Sequence, residues 1–215
     1  MKSSKIGVIG SGDVGKVLAA GFKKHGHDVT IASREGNKLG EWSATHGIPE
    51  ASFAAVAASA DILVLAVAGR AAEDAIRLAG IDNLAGKTVL DATNPIAAAP
   101  PVNGVLQFFT GPNDSLMERL QQLAPAANFV KAFSCVGNPM MVNPSDAAGR
   151  PTMFICGNNA DAKADTAKIL DQFGWETADM GAVEAARAIE PLCQLWCILG
   201  FTKNEWTHAF KLLHV

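Results

Sequence analysis

Lys5-Ile6-Gly7-Val8-Ile9-Gly10-Ser11-Gly12-Asp13-Val14-Gly15 is an apolar strand that runs straight into a glycine-rich turn of the form Gly-x-Gly-x-x-Gly. Each glycine has a separate task in such a turn. Gly10 takes the tight bend, Gly12 lets the backbone approach a pyrophosphate, and Gly15 lets the next helix pack close to the strand. Ser11, Asp13 and Val14 complete the turn and open that helix, whose first amides can face the phosphates. In a chain with 20 glycines the same pattern also fits an ordinary strand, turn and helix. The flanks favour the nucleotide. Val14, Val17, Leu18, Gly21 and Phe22 recur at helical spacing, and residues 28–33 read as a second strand, so the turn lies inside a complete βαβ unit.

The end of the second strand bears on which dinucleotide binds. An NAD site usually places a carboxylate there for the ribose hydroxyls, whereas an NADP site must neutralise a 2′-phosphate. Here the strand ends Ile31-Ala32-Ser33-Arg34. Ser33 offers a hydroxyl, Arg34 a guanidinium suited to phosphate, and Lys38 a second cation one turn further on. Glu35 is the competing carboxylate; it follows the Ser-Arg pair and reads as solvent-facing. The charge pattern therefore predicts NADP(H).

At 215 residues the chain can bury a full core but has little room for a second large catalytic domain. Its net charge of -3 gives no reason to expect nucleic acid or an anionic membrane surface as partner. Met1-Lys2-Ser3-Ser4 leads directly into the first strand, and no apolar run approaches a membrane span, which predicts a cytoplasmic protein. Cys135, Cys156, Cys193 and Cys197 lack Cys-x-x-Cys spacing, so free thiols are expected and no metal site.

Strands and helices alternate along the chain without repeats. A polar helix is expected near 37–46 and an alanine-rich one before Asp61. Asp61-Ile62-Leu63-Val64-Leu65-Ala66-Val67 reads as a parallel strand buried on both faces, followed by a helix to about Gly80. Further strands are expected at 87–92, 128–133, 152–157 and 176–179, with helices at about 114–123, 160–173 and 181–199. This order predicts a doubly wound, Rossmann-type parallel α/β sheet over 1–133 and a small C-terminal α/β extension over 134–215.

Ligands of such sheets lie beyond the carboxyl ends of the strands. Residues 67–70, 93–95 and 134–138 are thus expected around the nicotinamide, beside the long loop 96–112. Phe108 and Phe109 there can contact a flat ring, although anchoring the loop is the simpler role. His25, His27, His46, His208 and His214 read as surface histidines, and no catalytic dyad is expected. With no tyrosine, the chain cannot use the Tyr-Lys pair of short-chain dehydrogenases. The helix at 181–199 carries Ile189, Leu192, Cys193, Leu195, Trp196 and Leu199, an apolar surface that predicts a homodimer through this region. Arg187 and Glu190 are candidates either for a buried ion pair or for reaching the active site, the structural role being the simpler.

Nearly the whole chain resembles the NADPH-dependent deazaflavin (coenzyme F-420) reductases and their relatives, including the cytoplasmic reductase domain of six-transmembrane metalloreductases. The resemblance rests on the glycine turn, Ser33-Arg34 with Lys38, Leu65-Ala66-Val67, Asp91-Ala92-Thr93-Asn94-Pro95 and Val130-Lys131-Ala132-Phe133. It also rests on Gly181-Ala182-Val183-Glu184-Ala185-Ala186-Arg187 leading into Glu190-Pro191-Leu192. It implies that the turn holds the pyrophosphate, that Ser33 and Arg34 hold the 2′-phosphate, and that Val67, Thr93, Asn94 and Val136 line the nicotinamide, with Ala66, Ala68 and Pro95 beside them. It further implies a dimer, with a flavin or deazaflavin acceptor stacked on the nicotinamide. Where relatives often carry proline, this chain has Ala68-Gly69, which is expected to loosen that loop. No side chain matches a specific deazaflavin contact, so a free flavin, a quinone or another small oxidant stays open as acceptor. A non-catalytic NADP(H)-sensing module and a dehydrogenase of the pyrroline-carboxylate reductase type are the alternatives.

Overall fold

The computed structural model describes residues 3–35, 37–144 and 149–213; His214 lies outside them. Strands β1 (Lys5–Ile9), β2 (Asp28–Ala32), β3 (Glu50–Ala51), β4 (Ile62–Leu65), β5 (Thr88–Asp91) and β6 (Asn128–Lys131) form one sheet in the order β3-β2-β1-β4-β5-β6. Every neighbouring pair is parallel. Among them β4 is buried along its whole length, as its unbroken apolar run requires when helices cover both faces.

Helices α1 (Asp13–Lys24), α2 (Gly40–His46), α3 (Phe53–Ser59), α4 (Ala72–Ala79) and α5 (Leu116–Leu123) connect these strands. α1 buries Gly15, Leu18, Ala19, Gly21 and Phe22; Leu18, Gly21 and Phe22 belong to the stripe read from the sequence, whereas Val14 and Val17 are half-buried. The starts of α3 and α5 are set by side-chain caps. Ser52 accepts from Ala55 N at 3.3 Å, and Ser115 accepts from Glu118 N at 3.2 Å.

The C-terminal part contributes a parallel pair, β7 (Thr152–Ile155) and β8 (Glu176–Asp179), joined by α6 (Ala160–Gln172). Lys131 N donates to Cys156 O at 3.0 Å, so β6 and the end of β7 meet directly. Val130, Met153, Ile155, Leu170 and Trp175 share one core, which therefore continues across the expected boundary at 133/134.

Several boundaries differ from the sequence expectation. α2 begins only at Gly40, because the residues before it wrap around Glu50. The segment expected as one helix over 181–199 is a 3-10 turn at Val183–Ala185, then α7 (Ala186–Ile189) and α8 (Pro191–Lys203). Pro191 has no N–H to continue α7 and takes the first position of α8 instead. The chain's own tail covers part of α8: His208 stacks on Trp196 at 4.8 Å, and Trp196 Nε1 donates to His208 O at 2.7 Å. The other side of α8 leaves Leu195 and Phe201 exposed. All four cysteines are free. Among the described residues no helix is long and apolar enough to cross a membrane, and no group of three or more His, Cys, Asp or Glu side chains is placed to hold a metal.

Candidate dinucleotide site

The glycine turn follows β1 at the carboxyl edge of the sheet and owes its shape to contacts with β4 and its own helix. Gly10 has φ +133°, and a Cβ there would stand 2.2 Å from Ala66 O. A Cβ on Gly15 would stand 2.0 Å from Gly10 O. Both positions exclude a side chain. Gly12 differs, because a Cβ on it would meet nothing within 4 Å. Its glycine is unnecessary for packing within the protein, so the open space in front of it suits a ligand approaching the backbone. Gly12 is also the N-cap of α1 and supplies no side-chain acceptor to that helix.

This turn forms one wall of a cleft of about 390 Å³. Gly10, Ser11, Gly12, Arg34, Lys38, Ala66, Val67 and Ala68 all line it, so the structure brings together half of the candidate positions across three βα loops. Asp13, Val14 and Gly15 lie behind, in the first turn of α1. Glu35, read as solvent-facing, is exposed and also lines the cleft. Phe53, Asp74, Ala75 and Leu78 also line it. Their pattern marks them as ordinary helix residues, and only the crossing of α3 and α4 over the sheet brings them to the cleft.

Ser33 is buried beneath this wall, and its hydroxyl donates to Glu50 Oε1 at 2.5 Å. Burial pulls the Glu50 carboxyl upward, but hydrogen bonds from Ser33, Leu39 and Lys38 outweigh it and hold the group below the usual carboxylate range.

Thr93, Asn94, Pro95 and Val136 form the neighbouring part of the edge, outside the lining of the cleft. Asn94 Nδ2 donates to Ser134 O at 2.7 Å and ties the loop after β5 to the loop after β6. Asn94 Oδ1 and the buried Ser134 Oγ have no hydrogen-bond partner among the described residues. Buried polar atoms are normally satisfied, so this acceptor and hydroxyl fit a ligand carrying an amide, as nicotinamide does. Gly69 does not loosen the adjoining loop. A Cβ there would lie 1.9 Å from Asn94 O, so the glycine permits a close approach that proline or any other residue would block.

Below this edge lies a charge cluster that joins three of the sequence motifs. The Lys131 ammonium is fully buried, forms ion pairs with Asp91 Oδ2 at 2.7 Å and Glu190 Oε1 at 2.9 Å, and donates to Thr93 O at 2.9 Å. Asp91 Oδ1 accepts from Thr93 N at 2.9 Å and Thr93 Oγ1 at 2.6 Å. Glu190 accepts from Leu116 N and Met117 N, both at 3.0 Å, and so also neutralises the positive end of α5. Burial alone would push the Lys131 pKa down; Asp91 and Glu190 overcome this and raise it. The cluster fixes the backbone of Thr93 from two sides.

The candidate Arg187–Glu190 pair does not form. Arg187 instead binds Glu118 through Nε and Nη2, with Nη2 to Oε1 at 2.6 Å, while Glu190 turns inward to Lys131. His27 is likewise not a surface histidine. It is buried at the amino edge, between Ser4 N at 3.4 Å and Gln172 Oε1 at 3.2 Å, away from the cleft. His208 is half-buried against Trp196. Phe109 packs on the core with Arg119 5.6 Å above its ring, in keeping with an anchoring role.

A family model described as NADP oxidoreductase, coenzyme F420-dependent, matches residues 5–95. The chain is also 32% identical to a crystal structure from Arthrobacter sp. FB24, reported as that of a candidate F420-dependent NADP-reductase; the match has a TM-score of 0.92 and covers 99% of this chain and 100% of the other. The chain belongs to the coenzyme F420-dependent NADP oxidoreductase family. The chain is also similar to part of some larger proteins. Metalloreductase STEAP3 of Rattus norvegicus is 28% identical over 193 residues, covering 89% of this chain and 36% of that protein, so the chain spans about a third of the length of the curated relatives it matches. An imine reductase from Aspergillus terreus, solved with NADPH4, shares the fold at a TM-score of 0.67 and 20% identity, with 95% of this chain matched to 64% of that one.

Proposed function

We propose that this chain binds NADP(H) across the glycine turn and transfers a hydride between the nicotinamide and a flavin or deazaflavin-type acceptor. The observation that carries the reading is the cleft in which the open backbone at Gly12 shares a wall with Arg34 and Lys38. That combination suits a dinucleotide with a pyrophosphate and an additional anionic group. When bound, NADPH supplies the hydride.

The residues orient rather than exchange protons. The turn takes the pyrophosphate, Arg34 and Lys38 the 2′-phosphate, and Asn94 Oδ1 with Ser134 Oγ the carboxamide. Val67, Thr93, Pro95 and Val136 bound the nicotinamide. The Lys131 cluster holds Thr93 in place, so the ring meets its acceptor at a set position. Ser33 serves this site through Glu50, to which its hydroxyl is already committed. In the same reading the protein is cytoplasmic and pairs with a second copy over Leu195 and Phe201 of α8; a single-chain mass in solution would remove the dimer.

Anaerobic mixing of the protein and NADPH with a deazaflavin, FMN or a quinone tests the reaction. Loss of nicotinamide absorbance at 1:1 stoichiometry with reduction of the deazaflavin or flavin is the expected result. Tight NADPH binding with no oxidation by any of the three would favour the sensing module instead.

A further inference from the structure

Glu50 belongs to no nucleotide-binding motif, yet it organises the loop that carries both cations of the cleft. It opens β3, paired in parallel register with Ile31 of β2. Its Oε1 accepts from Ser33 Oγ at 2.5 Å and from Lys38 N at 3.0 Å, and its Oε2 accepts from Leu39 N at 2.8 Å. One carboxylate thus grips the loop at both ends, at Ser33 just before Arg34 and at Lys38-Leu39. Leu39 is itself buried, which anchors the far end, whereas Arg34 and Lys38 are exposed and line the cleft.

We infer that Glu50 is the positioning residue for NADP selectivity: by holding Ser33 on one side and Lys38-Leu39 on the other, it presents Arg34 and Lys38 to the 2′-phosphate. The inference rests on the NADP(H) reading above. A carboxylate near a phosphate site would ordinarily oppose binding by like charge. Here three of its roughly four acceptor positions are spent on the loop, so its main effect is to fix geometry. The same commitment distinguishes Glu50 from the carboxylate of an NAD site, which must keep its oxygens for the ribose hydroxyls. A loop whose backbone is already held loses less backbone freedom when the phosphate arrives.

The test uses 2′,5′-ADP and ADP as probes, which differ in the 2′-phosphate, with the intact protein and its Glu50→Gln and Glu50→Ala variants. Glutamine keeps an acceptor for Ser33 and Lys38 but puts an amide donor opposite Leu39 N, and alanine removes every bond. The expected order of 2′,5′-ADP affinity is wild type, then Gln, then Ala, with a total loss on the order of tenfold or more, as for charge-assisted contacts that lose their geometry. ADP affinity stays constant across the three proteins. Equal losses for both probes, no loss for either, or tighter 2′,5′-ADP binding by the variants would overturn the inference. A wild type that binds the two probes equally would instead overturn the NADP reading beneath it.

Discussion

Replacing Lys131 with methionine is expected to destabilise the protein by about 3–5 kcal/mol, since breaking one side of a buried ion cluster leaves the remaining charges uncompensated. Asp91 and Glu190 are both buried, and methionine fills the space without offering a donor. For a chain of this length that loss lowers the thermal midpoint by roughly 10 °C. The sign of the pH dependence follows from the raised Lys131 pKa. The ammonium's contribution is present in full below the ordinary lysine value of 10.5 and is lost only as pH climbs through the folded-state value, so the variant is destabilised throughout the neutral range. The triple variant Asp91→Leu, Lys131→Met, Glu190→Leu should regain part of the stability, because an apolar core of similar volume needs no counter-charge. It should not regain nicotinamide-loop geometry, as Thr93 loses the partners of its N–H, hydroxyl and carbonyl. Thermal unfolding of the single and triple variants checks this; an unchanged midpoint for Lys131→Met would show that the cluster is not ionic in solution.

Gly12→Val is expected to do the opposite, leaving the fold intact while removing nucleotide binding. The backbone at Gly12 is extended, with φ −80° and ψ −176°, a conformation open to valine, and the new Cβ would meet no protein atom within 4 Å. The side chain instead fills the space in front of the turn. Overpacking against a bound pyrophosphate of this order weakens binding by about 100-fold. Valine at Gly10 or Gly15 would clash with backbone carbonyls and damage the fold itself. Calorimetric titration with NADPH, beside a melting curve of the same sample, separates the cases; retained affinity in Gly12→Val would place the pyrophosphate elsewhere.

The doubly wound sheet and the glycine turn were legible because they depend on local patterns: unbroken apolar strands, helical stripes and glycines at fixed offsets. Arg34 and Lys38 could be read for the same reason, since their position after β2 determines their place at the edge. The remainder depends on contacts distant in sequence. Glu50 lies 17 residues from Ser33, and the separation of 74 residues between Leu116 and Glu190 hides the reason why that glutamate is buried. Lys131 reads as part of an apolar strand with one misplaced charge until β5 and α8 bring it two carboxylates. Arg187 and Glu190, read as candidates for pairing or for reaching the active site, are sent to different partners, Glu118 and Lys131, where α7 gives way to α8 at Pro191. Gly69 was misread because the tight approach of Asn94 O comes from another loop.

Equilibrium dissociation constants for NADPH and NADH, measured on the wild type and on Arg34→Ala, test the assignment of the cleft most directly. A charge-assisted guanidinium–phosphate contact corresponds to roughly 10- to 100-fold in affinity. The account predicts that wild type prefers NADPH by about that factor and that Arg34→Ala loses most of the preference with little change in NADH binding. Equal affinity of the wild type for the two nucleotides, or equal losses for both in Arg34→Ala, would contradict it.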